Sequence, residues 1–220
     1  MKTANLIRWG ALAALASGAL WIAGGLLHLA YPQDPPGALG YYLNYLGTAV
    51  FSAAYLGMLG GLVGLHARQV ESYGRLGRAG FLLAFVGAAL AFVGQATSGI
   101  FPENGTLGWL FSDPGFGFMV GILLTSLGLV LMGIATMRAG VLPRWCGFGL
   151  IALVVFSALG AYGGFVVVGL IWLALGYTLW SAKSEVEGSS AYAGERRSPT
   201  EPNFRRPVED AGGPPDSPGL

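Results

Sequence analysis

Charge is what this chain has least of. Only 10% of its 220 residues are Asp, Glu, Lys or Arg, where ordinary soluble domains carry roughly 25%. The shortage is concentrated: residues 9–30, 43–65, 79–100, 116–137 and 145–180 hold none of the four. A helix needs a polar face to live in water, and these runs have none. They also contain no ionisable carboxylate, so carboxylate-driven ion coupling within a membrane is not expected. Cysteine is nearly absent too. Cys146 alone allows neither an internal disulfide nor a cysteine metal cluster. The signatures H-E-x-x-H, G-x-S-x-G and G-x-x-x-x-G-K do not occur. A net charge of +1 offers nucleic acid no basic surface.

What is present is long apolar sequence. A bilayer core about 30 Å thick needs roughly 20 apolar residues of helix, and unpaired amides in hydrocarbon leave only helices or closed barrels. The runs are continuous and do not alternate, so a barrel is excluded. The run 145–180 is twice the needed length and is interrupted by "GAYGG" at 160–164. The expectation is an all-α polytopic membrane protein with six transmembrane helices, over 9–30, 43–65, 79–100, 116–137, 145–161 and 163–181.

The cations test that count. Lys2 and Arg8 precede the first helix, and Arg68, Arg75 and Arg78 lie between the second and third. Arg138 and Arg144 lie between the fourth and fifth, and Lys183, Arg196, Arg197, Arg205 and Arg206 follow the sixth. These are all 12 Lys and Arg, and the loops 31–42, 101–115 and 161–164 have none. Cationic loops stay in the cytoplasm, so both termini are expected there, in an inner or plasma membrane. The segment "ALAS" at 14–17 resembles a signal-peptidase site, but the apolar stretch between Arg8 and Ala14 is too short for a signal peptide. The first helix is therefore retained.

The chain repeats itself. Residues 8–34, "RWGALAALASGALWIAGGLLHLAYPQD", lie over 78–104, "RAGFLLAFVGAALAFVGQATSGIFPEN", without gaps. Arg8, Gly10, Leu12, Ala14, Ala19, Leu20, Gly24 and Pro32 recur at offset 70. A weaker third copy begins at "RWCGFGLIAL", 144–153. This predicts helical hairpins in parallel orientation, an arrangement also found in transporter folds. Pro32, Pro35, Pro36 and Pro102 end helices, and Asp34, Gly37, Asn104 and Gly105 supply turn chemistry. Tyr31, Tyr41, Tyr42, Tyr45, Phe101, Trp109 and Phe111 form an outer aromatic belt. Pairs such as Gly57–Gly61 and Gly60–Gly64 allow close helix packing, within the chain or against a membrane partner or second copy. Residues 182–220 are rich in Pro, Ser, Gly, Glu and Arg and are expected to be a disordered cytoplasmic tail.

Polar side chains inside the spans are few. His28, Gln95 and Ser98 share a depth in the outer third of the first and third helices, and Asn44 begins the second at a similar depth. Buried polar groups need partners or water, so His28, Asn44, Gln95 and Ser98 either bond one another or line an outward-facing pocket. Thr125 and Ser126 are expected to bond their own helix backbone, and His66 to sit in the interface beside Arg68. His28 and His66 lie at opposite ends, which excludes one haem held by both. No metal or cofactor is expected.

The stretch "RAGVLPRWCGFGLIAL", 138–153, resembles a turn in small bacterial multi-pass membrane proteins, where a cytoplasmic LPRW joins two apolar helices. The resemblance implies that topology and carries no activity and no site residues. The function expected is non-enzymatic: a scaffold, accessory subunit or sensor whose partner is the bilayer. A facilitator of a small neutral or amphipathic ligand, and a haem- or quinone-linked redox protein, are the alternatives.

Overall fold

Within a long apolar run, pairing every amide along one helix leaves no polar group to lipid. The computed structural model, which describes residues 2–31, 38–97 and 115–196, has this form throughout. Among the described residues the six α-helices are α1 (Lys2–Ala30), α2 (Ala38–Gln69), α3 (Gly74–Thr97), α4 (Phe116–Ala139), α5 (Arg144–Ala158) and α6 (Gly164–Arg196). Among the described residues there is no strand. Five stretches are long and apolar enough to cross a membrane: Ala4–Ala30, Tyr42–Gln69, Gly74–Thr97, Phe116–Ala139 and Gly164–Ser181. The sixth helix, Arg144–Ala158, is shorter. At 1.5 Å per residue it rises about 22 Å.

Helix ends depart from the apolar limits for local reasons. The first two helices run past them, α1 from Lys2 and α2 from Ala38 to Gln69, because a helix can continue once its side chains reach water. α5 stops earlier than expected, at Ala158. The chain then tightens into a 3-10 turn, Gly160–Tyr162, and Gly163 takes φ +86 to redirect it into α6. Only a glycine adopts that conformation without strain. At the other end α6 continues to Arg196, beyond the boundary expected at 182. The first proline after it is Pro199, and residues 182–196 include Ala, Glu and Lys, which favour helix. The chain divides into two units, Met1–Ser184 and Glu185–Leu220, and residues 197–220 lie outside the described residues.

Within the first unit successive helices run antiparallel and the ring closes on itself. α1 packs on α2, α2 on α3, α3 on α4 and α4 on α5. α5 meets α6 at Gly149 and Ile171, and α6 meets α1 at Gly169 and Gly18. Small residues set these distances. A Cβ at Gly10 in α1 would lie 2.8 Å from the Gly64 nitrogen and 3.1 Å from the Gly60 oxygen of α2. A Cβ at Gly80 in α3 would lie 2.7 Å from the Met132 nitrogen and 3.1 Å from the Gly128 oxygen of α4. Neither glycine could carry a side chain. The same backbone approach joins α4 to α5, with Gly133 against Gly147, and α1 to α6, with Gly176 against Ala11 and Leu15.

The helices thus fall into two sets, α6–α1–α2 and α3–α4–α5, each drawn together through glycine. In the core stand Trp172, Leu62, Leu65, Met132, Leu150, Leu153 and Leu175, all buried. Ser17 is buried as well, and its hydroxyl donates to the Ala54 oxygen at 2.8 Å. The antiparallel order gathers Arg8, Arg68, Arg75, Arg78, Arg138 and Arg144 at one end of the bundle.

Candidate functional site

At the end away from the arginines, the four expected polar residues meet different fates. His28 is half-buried in the last turn of α1, its ring edge-on to Phe165 of α6 with centroids 6.0 Å apart. Gln95 is buried in α3. Asn44 lies on an exposed face of α2, and Ser98 lies outside the described residues. Below His28 the seam between α1, α2 and α6 is aromatic. Trp21 has Phe51, Tyr55 and Phe165 around it, with ring centroids 5.3, 5.2 and 5.5 Å away. Gly24 admits the Phe51 ring, and Gly25 admits the Phe165 Cβ. Among the described residues the buried Trp21 indole N–H has no hydrogen-bond partner.

The arginine-bearing end holds the richer arrangement. α2 places Leu62, Leu65 and Gln69 on its buried face, and all three are fully buried. The Gln69 Oε1 accepts from the Thr136 hydroxyl of α4 at 2.9 Å. Among the described residues its Nε2 has no partner, and neither has the buried Nε of neighbouring Arg68. One turn back along α2, His66 stacks on Phe81 of α3, with centroids 4.0 Å apart. Its Nδ1 is hydrogen-bonded to the hydroxyl of Tyr73 in the α2–α3 turn. Tyr73 is itself buried, and its ring lies so close over Gly77 that no side chain could stand there.

Burial pushes the Tyr73 phenol up to about 12, against the opposing pull of the Arg78 guanidinium. The phenol therefore keeps its proton, and the His66 tautomer sets which of the two groups donates. Arg78 also reaches the Val70 carbonyl at 3.5 Å, helping to close the end of α2. Across the ring, the buried Cys146 of α5 lies 3.9 Å from the Thr178 hydroxyl of α6.

This polar layer was not expected. The sequence places His66 in the interface and does not by itself pair Gln69 with Thr136. One signal was available: Leu62, Leu65, His66 and Gln69 follow three- and four-residue spacing, which puts Gln69 on the stripe that faces inward. The expectation for Thr125 is met, since its hydroxyl donates to the Gly121 oxygen one turn earlier at 2.8 Å.

Among the described residues no group of three or more His, Cys, Asp or Glu side chains could hold a metal ion. Comparison with protein-family models, with curated proteins and with solved structures finds no match to this chain.

Proposed function

We propose that the chain is a six-span membrane protein with both termini in the cytoplasm, acting without catalysis as a scaffold, accessory subunit or sensor. The observation that carries this reading is the interior of the bundle. It is filled by Trp21, Trp172, Leu62, Met132, Leu150 and Leu153, and the helices on either side approach backbone to backbone. Such packing favours a fixed structural unit over a polar path across the bilayer. Exposed aromatic residues support the membrane depth. Trp9, Trp145, Tyr177 and Trp180 stand toward the arginine end, and Tyr31, Tyr42, Tyr45 and Tyr162 toward the other. From Trp9 to Tyr31 a helix rises about 33 Å, close to the thickness an aromatic belt brackets.

Parallel duplicated hairpins are part of the same proposal. Gly10 meets Gly60 and Gly64 with the geometry by which Gly80 meets Gly128 and Met132. The first helices are offset by 70 residues and the second by 68, so a hairpin copied with its packing register supports both.

Osmotic shrinkage of proteoliposomes in glycerol or urea tests the scaffold reading. Rates equal to those of protein-free liposomes are expected, and a clear excess would favour the facilitator. A visible absorption band in the purified protein would instead favour the redox alternative.

A further inference from the structure

We propose that the polar seam at the arginine-bearing end binds a small uncharged molecule that presents a carbonyl oxygen to Gln69. Glycine contacts draw the helices together within α6–α1–α2 and within α3–α4–α5. Between the two sets, polar side chains meet: Gln69 with Thr136, and Cys146 with Thr178. His66 with Tyr73 and Phe81 closes the α2–α3 side of the seam. Side-chain contacts can separate and re-form around a guest, where backbone-to-backbone contacts cannot.

Gln69 marks where the guest sits. It is fully buried, and the Thr136 hydroxyl completes only one end of its amide. The other end is a donor with no partner. A glutamine amide carries two N–H groups, and buried ones are ordinarily satisfied. Among the described residues both unpartnered atoms on this stretch of α2, Gln69 Nε2 and Arg68 Nε, are donors, so what is missing here is an acceptor. The acceptor is uncharged because the groups shown against Gln69 are neutral: the Thr136 hydroxyl on its side-chain amide, and the Ser72 and Tyr73 backbone amides on its carbonyl. Arg75 and Arg78 lie exposed on α3, where Arg78 is engaged with Val70, and Arg68 projects from α2 about 100° round the helix from Gln69. The site is the same whichever face of the bilayer it meets, and it goes beyond the scaffold reading by giving the bundle something to sense.

Acetamide is the smallest probe with the required carbonyl. The chain contains three glutamines, Gln33, Gln69 and Gln95, so glutamine-selective nitrogen labelling of the full chain in nanodiscs gives a three-residue spectrum. Gln69→Met assigns the Gln69 side-chain amide, and Gln69→Glu serves if the methionine variant does not fold. Acetamide is expected to shift the Gln69 amide saturably and to leave Gln95, a second buried glutamine, unmoved. It should also slow alkylation of Cys146 by N-ethylmaleimide severalfold in the native chain and not in the Gln69 variant. A Gln69 signal that stays fixed, or moves only in parallel with Gln95, overturns the site. A response to acetate and not to acetamide overturns the uncharged class.

Discussion

Tyr73 shows how one buried hydroxyl ties stability to pH. In the unfolded chain a tyrosine ionises near 10, while in the folded bundle burial holds it up to about 12. Its raised value gives stability that is complete below the unfolded value and is lost as pH rises from roughly 10 through 12. The melting temperature of the native protein should therefore fall more steeply over that window than that of Tyr73→Phe. Parallel curves would mean that the phenol meets water. Thr136 is a gentler case. Thr136→Val removes the hydroxyl that reaches Gln69, and interhelical hydrogen bonds in membranes are worth about 0.6 kcal/mol on average, with larger ones near 1.7. A loss in that range is expected in an unfolding titration with denaturing detergent. Stability unchanged in Thr136→Val would remove α4 from the polar layer. At this scale the sequence was a poor guide, because polarity and depth place a side chain without saying what it faces. Asn44 and Gln95 looked alike from that standpoint, yet one is exposed and the other buried.

Helix pairs are governed by their glycines, and not all glycines are equal. A Cβ at Gly128 would collide with the Ala84 nitrogen, whereas one at Gly47 would meet nothing nearer than a Leu27 methyl at 4.0 Å. Gly128→Ala must push α3 and α4 apart, and overpacking of this kind typically costs about 1–3 kcal/mol. Gly47→Ala should be neutral or slightly stabilising, since alanine favours helix over glycine by roughly 0.5–1 kcal/mol. Unfolding midpoints of the two variants in the same detergent decide the matter. Equal effects would show that the α3–α4 approach is looser than described. Spacing such as Gly60–Gly64 was legible in the sequence as a packing motif. Its partner was not, because Gly10 comes into contact only when the hairpin closes.

The molecule as a whole makes its claims through orientation. If every cation faces the cytoplasm, reporter fusions after residues 36, 107 and 162 should read outside, and fusions at 72, 141 and 190 inside. A periplasmic signal at 72 or 141 would break the six-span proposal. Removing residues 185–220, which form the second of the two units, should leave detergent stability nearly unchanged. A large loss would show that this unit supports the first. The sequence by itself determined that the chain is helical and apolar, where its apolar helices lie though not where α1 begins or α6 ends, and that a glycine-rich turn divides the run 145–180. Those features follow from local rules: amides in an apolar run must pair within one helix, and proline and glycine punctuate it. Tertiary structure alone decided that α6 closes the ring on α1, that Trp172 comes to rest on Gly61, and that Gln69 and Thr136 meet across a separation of 67 positions. Such contacts depend on which faces approach when helices pack, and a periodic pattern of small and apolar residues permits several pairings until close backbone approach selects one.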